Sequence, residues 1–323
     1  MSIMMTISET AQWLKNNNNY LILTHRRPDG DTIGCAGALA EGLRDIGKTA
    51  YVLENIEATP RYIPYISDYF PPDGFSPDKV LIVDTASLAL FPKNSEMYHD
   101  KIDLSIDHHG SNTLYAAHTC LDPTTAACGE VVYALLMEMV GFISQNAADC
   151  IYVAVSTDTG CFSFANTTSN TLMVAAHVIN AGAAHVTINR KLFRTRSRAR
   201  IKIEGMIYAG IDFYFNGKVA ISSISGDMMR ESGALEDDVD DIASIPGSIK
   251  GVMCGVTMRE LSDPLDCKVS VRTSPKINAN AIAQNFGGGG HAMASGFALD
   301  VPMADGKKAL LEVLKTFFPE DEM

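Results

Sequence analysis

Residues 20–48 read YLILTHRRPDGDTIGCAGALAEGLRDIGK. Tyr20 to Leu23 is a short apolar run of the kind that forms a strand buried on both faces. Further on, Ile33, Ala36, Leu39, Ala40, Leu43 and Ile46 recur at helical spacing and Gly47 supplies a stop. Between the two, Pro28 and Gly30 force a tight turn, so Asp29 and Asp31 project from the strand end beside the positive end of the helix that follows. The stretch is a strand, a turn and a helix, with acids where the strand ends.

The arrangement recurs along the chain. Val80–Val83 runs into Asp84, Leu104–Ile106 into Asp107, His108 and His109, and Ile151–Val155 toward Asp158, with helical segments near 126–140 and 169–181. All four apolar runs are expected to be strands. Alternating β and α units predict an α/β protein whose N-terminal domain is a parallel sheet with helices on both faces. In such sheets the carboxyl ends of the strands open into one crevice, which would collect His25, Asp29, Asp31, Asp84, His108 and Asp158.

Taken singly, each of these residues has an ordinary role: a solvated Asp-x-Asp turn, a satisfied strand-end histidine, a helix cap. Together they place ionisable groups at four ends expected to be buried, which packing alone does not favour and metal charge would compensate. Asp122, Glu130 and His118 read as capping or surface residues. Carboxylate oxygens with imidazoles and no thiolate suit two divalent cations of the Mn²⁺ or Mg²⁺ kind, Co²⁺ being a further option, better than a zinc site. The chemistry expected is two-metal phosphoester hydrolysis, which needs no side-chain nucleophile.

From Ile211 the pattern changes. Candidate strands at 218–224, 250–258 and 267–272 surround helical stretches near 278–285 and 307–318, a smaller α+β domain. Its informative segment is FGGGGHAMASG, residues 286–296. Gly287, Gly288, Gly289 and Gly290 let backbone N–H groups approach an anion, while His291 and Arg272 add charged donors. A glycine run alone is more often a flexible turn. Between the two parts, residues 190–202 (RKLFRTRSRARIK) carry seven basic residues and no acid. Arg190, Arg194, Arg198 and Lys202 repeat every four residues, as on one face of a solvated helix, and the run is expected to connect the domains. The expected division is 1–187, a linker at 188–208, and 209–323.

The 323 residues, 46% hydrophobic and 20% charged, suffice for two domains with a large core. A net charge of −12, with six acids between Glu231 and Asp241, argues against coating long nucleic acid. No apolar stretch has the length of a membrane span and the N-terminus does not read as a signal peptide, so a cytoplasmic enzyme without a membrane partner is expected. The seven cysteines form no CxxC pair and read as reduced packing residues, with Cys35 and Cys161 nearest the crevice.

The order HRRPDGD, VDTAS, DHH at 107–109, STDTG, VRTS and GGGGHAMASG resembles that of the DHH phosphoesterases that carry a C-terminal DHH-associated domain. The resemblance covers nearly the whole chain. In length and lack of extra modules it is similar to the NrnA-like branch, the nano-RNases and 3′-phosphoadenosine 5′-phosphate (pAp) phosphatases, rather than to the longer RecJ exonucleases or the membrane-tethered cyclic-dinucleotide phosphodiesterases. The resemblance implies one metal on His25, Asp29 and Asp84 and another on Asp31, Asp84, His108 and Asp158, with Asp84 shared. It implies that His109 faces the substrate phosphate, and that Arg272, Gly287–Gly290 and His291 bind the nucleotide from a domain that closes over the metals. Asp31, Asp84, His108, His109 and Arg272 would then carry catalysis. Cys35 stands where a serine commonly follows the glycine of the first motif, and Thr273 interrupts a sequence that often reads RS; both bear on substrate preference rather than on the ligands.

The leading expectation is hydrolysis of short oligoribonucleotides to mononucleotides and of pAp to AMP. RNA of two to about five nucleotides is expected to be preferred, a range that the resemblance implies and a short cleft without a stacking module would fit. Hydrolysis of linear or cyclic di-adenylate, pyrophosphate hydrolysis and a catalytically silent nucleotide sensor are the alternatives. The sequence leaves a monomer and a homodimer both open.

Overall fold

The structure is a computed structural model that describes residues 2–239, 242–261 and 266–319; Asp240 and Asp241 of the acidic run lie outside them. Two compact units divide the chain, residues 1–195 and 196–323.

The first unit runs β1 (Ile3–Met4), α1 (Ile7–Asn16), β2 (Tyr20–Leu23), α2 (Gly30–Asp45), β3 (Ala50–Val52), β4 (Lys79–Val83), β5 (Leu104–Asp107), β6 (His118–Leu121), α3 (Cys128–Met139), α4 (Gln145–Asp158), α5 (Ser169–Asn180) and α6 (His185–Asn189). Its six strands are all parallel, in the order β1-β6-β5-β4-β2-β3. The chain leaves β2 for β3 on one side and returns to β4 on the other, so the crevice of this open sheet lies beyond the ends of β2 and β4. β1 and β3 have only two and three residues, and β6 (HTCL) lacks an apolar run, so none of the three announces itself in the sequence.

The strands alternate as a buried sheet should. Tyr20 and Ile22 face a core with Leu39, Leu43, Val131 and Ile151, whereas Leu21, Leu23, Val80 and Ile82 face Phe91, Ile102 and Ala116. The α-helices cover only the first of these faces. The other is covered by connecting segments and 3-10 turns at Leu88–Leu90 and Lys93–Tyr98, in place of the α-helices expected on both faces. Prolines at 60, 64, 71, 72, 77 and 92 keep those connections from forming long helices.

One expected strand is a helix. Ile151–Val155 lies in α4, and Asp158 is the last residue of that helix. Ala147, Ala148 and every residue from Cys150 to Ser156 are buried, so the helix shows no polar stripe and a short window of it reads like a buried strand. Its close approach to α2 depends on glycine. A Cβ on Gly34 would lie 2.3 Å from the Cys150 carbonyl oxygen, and one on Gly30 would lie 2.4 Å from the Thr157 side chain. The acids at the start of α2 are thereby brought beside Asp158.

The basic run does not form one helical face. Residues 190–194 make a single π-helical turn after α6, the chain is extended at Thr195 and Ser197, and α7 (Arg198–Ala209) begins afresh with Ser197 capping Arg200. The boundary between the units falls inside the run. Arg196 and Arg200 both pair with Glu204, at 3.2 and 2.8 Å, and Ile203 and Ile207 bury within the second unit.

That unit continues with β7 (Asp212–Tyr214), β8 (Val219–Ile224), α8 (Gly226–Ser232), β9 (Cys254–Glu260), β10 (Cys267–Thr273), α9 (Ala279–Gln284), β11 (Gly289–Gly290), β12 (Ala294–Leu299) and α10 (Met303–Leu314). The sheet order is β11-β12-β10-β9-β8-β7, antiparallel except for the parallel pair β8/β9. α9 and α10 bury Ile282, Leu310 and Leu314 against Val256, Val269 and Val271 of the sheet.

Candidate functional site

Asp29 caps α2: its Oδ1 accepts from the N–H groups of Asp31 and Thr32 at 3.0 and 3.2 Å. Asp31, fully buried, is held by the start of another helix. The N–H groups of Cys128 and Gly129 in the first turn of α3 donate to its Oδ2 and Oδ1 at 2.7 and 2.9 Å, and the Cys35 thiol donates to Oδ1 at 3.3 Å. Helix N-termini favour a carboxylate there. Asp84 follows β4 with φ of +53°, a left-handed conformation unusual for a non-glycine residue and found most often where side-chain placement matters.

These acids meet two histidines. His25 Nε2 lies 3.6 Å from Asp29 Oδ1 and 3.8 Å from Asp84 Oδ2. His108 Nε2 lies 3.5 Å from Asp84 Oδ1, 3.5 Å from Asp158 Oδ2 and 3.8 Å from Asp31 Oδ2. Both rings direct Nδ1 to a carbonyl, that of Arg26 at 2.8 Å and that of Thr125 at 3.3 Å, which leaves Nε2 as the lone-pair atom toward the acids. Three overlapping donor groups result, His25/Asp29/Asp84, Asp31/His108/Asp158 and Asp84/His108/His109, with the two oxygens of Asp84 turned one to His25 and one to His108.

The donors fit metal ions. Asp84 Oδ1 and His108 Nε2 are buried without a hydrogen-bond partner among the described residues. Separations of 3.5–3.8 Å are too long for hydrogen bonds but natural for atoms sharing a cation with bonds of roughly 2.0–2.6 Å. Burial and neighbouring carboxylates raise the pKa of Asp31 to about 8 and push those of Asp84 and Asp158 well up. Such crowding calls for positive charge. The two nearby thiols do not add to the donor set: burial pushes Cys35 well up and Cys128 to about 11, so neither is a thiolate.

His109 is held differently. Its Nδ1 is 3.5 Å from Asp84 Oδ1 but only 2.8 Å from Asp107 Oδ1, and that hydrogen bond raises its pKa. Asp107, fully buried, also accepts from the N–H groups of His108 and His109, and its Oδ2 accepts from Asn112 Nδ2 at 2.6 Å. From the sequence Asp107 is an acid at a strand end without a role, and Asn112 carries no signal. The bond that the Thr125 carbonyl accepts from His108 and those that the Cys128 and Gly129 N–H groups donate to Asp31 are equally silent because they join residues far apart in the chain. Glu130, expected to cap or lie at the surface, is buried and ties Ala126 N–H, Asn170 and Thr171 together.

In the second unit, Arg272 on β10 is half-buried and pairs in register with Ala294, whose backbone exchanges hydrogen bonds with His291 at 2.8 and 3.3 Å. His291 itself is exposed. Gly290 takes φ of +145°, and a Cβ on Gly288 would lie 2.4 Å from the Gly296 carbonyl oxygen, so both are required by the β11/β12 hairpin itself. Gly289 faces open space apart from the Asn280 side chain.

A parallel sheet whose switch point gathers this Asp/His cluster, joined to a second unit with a glycine-rich hairpin, defines a class. Residues 19–155 match the DHH family N-terminal domain and residues 216–320 match the DHHA1 domain. The chain belongs to the DHH family and is a phosphoesterase, a hydrolase of phosphoester bonds. Among curated relatives it is 29% identical over 281 residues to the bifunctional oligoribonuclease and PAP phosphatase NrnA of Thermus thermophilus, spanning 86% of this chain and 83% of that protein. The NrnA of Bacillus subtilis is 27% identical over 300 residues, 90% of this chain and 93% of that one. Among solved structures, an exopolyphosphatase-related protein from Bacteroides fragilis superposes with a TM-score of 0.88 at 25% identity, covering 97% of this chain and 96% of that one.

Proposed function

We propose that this chain hydrolyses short oligoribonucleotides to mononucleotides and pAp to AMP, using two divalent cations, Mn²⁺ in the first instance. The observation that carries the reading is Asp84, which offers one oxygen to the His25/Asp29 group and the other to the His108/Asp31/Asp158 group. The names of the relatives supply the substrate class. Bound there, the cations would supply Lewis-acid stabilisation of phosphoryl charge and a nucleophile at neutral pH.

The side chains have separate tasks. His25, Asp29, Asp31, Asp84, His108 and Asp158 hold the ions. His109, fixed through Nδ1 by Asp107, keeps Nε2 available to a phosphoryl oxygen. Arg272, His291 and the Gly287–Gly290 segment bind the nucleotide from the second unit, Arg272 as a fixed positive charge; the N–H groups of Gly287 and Gly288 already donate to the Gln284 and Ala283 carbonyls, so those glycines serve by allowing close approach. A cytoplasmic site of action is part of the proposal, supported by seven free cysteines. No single helix among the described residues is long and apolar enough to cross a membrane.

Initial rates with Mn²⁺ on a diribonucleotide, a pentanucleotide, a long single strand, pAp, linear and cyclic di-adenylate and pyrophosphate test the reading. Fastest turnover of the short RNAs, with phosphate release from pAp, is expected. Faster processive degradation of the long strand, or hydrolysis of pyrophosphate alone, would overturn it.

A further inference from the structure

Three consecutive residues directly after Asp158 and Thr159, namely Gly160, Cys161 and Phe162, have φ of +55°, +55° and +65°. A run of left-handed residues that includes a phenylalanine is rare, and such conformations persist only where the surroundings enforce them. Here they fold the chain back so that the N–H groups of Ser163 and Phe164 both donate to the Thr159 carbonyl at 2.9 Å. The Phe164 ring thereby comes to lie over Gly160: a Cβ at that position would be 2.4 Å from the ring. The side chain is nevertheless 56% exposed.

The loop is tied to the metal-donor elements. Asn166 Nδ2 donates to the Asp158 carbonyl and to the Ala126 carbonyl, both at 3.1 Å. Asp158 carries a candidate ligand, and Ala126 lies just before the α3 turn whose N–H groups hold Asp31. An aromatic face is therefore presented, largely uncovered, on a hydrogen-bonded loop between two elements of the donor cluster, where it contributes little to the core. Isolated exposed apolar side chains are common on proteins; a strained loop that holds one on the segment leading out of the Asp158 helix is not.

We propose that Phe164 is a stacking platform for the nucleobase next to the scissile phosphate, and so a specificity-determining residue that selects nucleotides over base-free phosphoesters. This rests on the phosphoesterase reading above. Every base has a π face, so a stacking contact accepts all four, as a scavenger of mixed short RNAs requires.

The test compares Phe164→Ala and Phe164→Trp in the full chain, with unchanged circular dichroism as the folding control, on ApA and on analogues lacking one base. Phe164→Ala should lower kcat/KM for ApA by about tenfold, mainly through KM, leave at least one base-free analogue within about twofold, and be rescued by Phe164→Trp. Equal losses on ApA and on both base-free analogues, or no loss on ApA, would overturn the proposal. Wild-type protein that hydrolyses none of these would sink the phosphoesterase assignment instead. Stacking would then be judged by quenching of 2-aminopurine riboside 5′-phosphate fluorescence, which should weaken in Phe164→Ala, and equal quenching would reject it.

Discussion

In the first unit the candidate donors come from the ends of β2, β4 and β5 and from both ends of helices, spread from His25 to Asp158. In the second, Arg272, the glycines and His291 lie within twenty residues, Arg272 on the inner strand β10 and the glycines and His291 at the β11/β12 edge hairpin beside it. The two regions differ in what each group costs. The first buries three carboxylates whose pKa values burial raises, and it gives up protein hydrogen bonds at Asp84 Oδ1 and His108 Nε2. The second leaves His291 exposed and spends its glycines on the hairpin. A cluster that is unfavourable without a ligand points to chemistry, whereas an edge whose groups are already satisfied points to binding.

Asp84→Asn would break this contrast most severely. It should lower turnover by several orders of magnitude and reduce bound metal, since the donors around His25 and those around His108 share that side chain; steady-state kinetics with metal analysis measures both. Normal activity and full metal content in the variant would remove the basis for two ions. Asp107→Asn comes next. It disturbs the bonds that Asp107 accepts from His109 Nδ1 and from the His108 and His109 N–H groups but removes no oxygen from the His25/Asp29/Asp84 or Asp31/His108/Asp158 group, so kcat should fall about 10–100-fold with metal content kept. A parallel loss of metal would make Asp107 part of the ion site.

Arg272→Ala and His291→Ala sharpen the other side of the comparison. Each should raise KM for short RNA by about tenfold, through loss of one charged contact, while the metal content stays that of the wild type. Metal analysis that shows either variant as depleted as Asp84→Asn would refute the division of tasks.

The smallest effect expected concerns stability. With chelator present, Asp31 keeps its proton up to about pH 8 in the folded chain, while in the unfolded chain it releases it near the ordinary value of 3.8. Asp84 and Asp158 shift in the same direction. Folding then takes up protons, and the chelated protein should lose stability as pH rises from about 4 to about 8. Bound cations favour the ionised carboxylates and should oppose that trend. Denaturant midpoints at pH 5 and pH 8, with and without Mn²⁺, check this; a chelated protein more stable at pH 8 would contradict it.

The sequence by itself determined the order of most elements and named most members of the candidate donor cluster. His25, Asp29, Asp31, Asp84 and His108 were legible because buried parallel strands are short apolar runs and their carboxyl ends share one crevice, so an acid after each run has a place to go. Asp158 was legible as a member and misread as to its element, since a helix buried on all sides has no polar face to give it away. The tertiary structure alone decided what holds these groups: the α3 N–H pair on Asp31, the Asn112–Asp107–His109 chain, and the glycines that let α2 touch α4. Periodicity reports which face of an element is buried. It does not report which distant backbone donor meets which carboxylate, because that depends on how the helices pack over the sheet, and a contact between Asp31 and Gly129 leaves no local trace in either stretch of sequence.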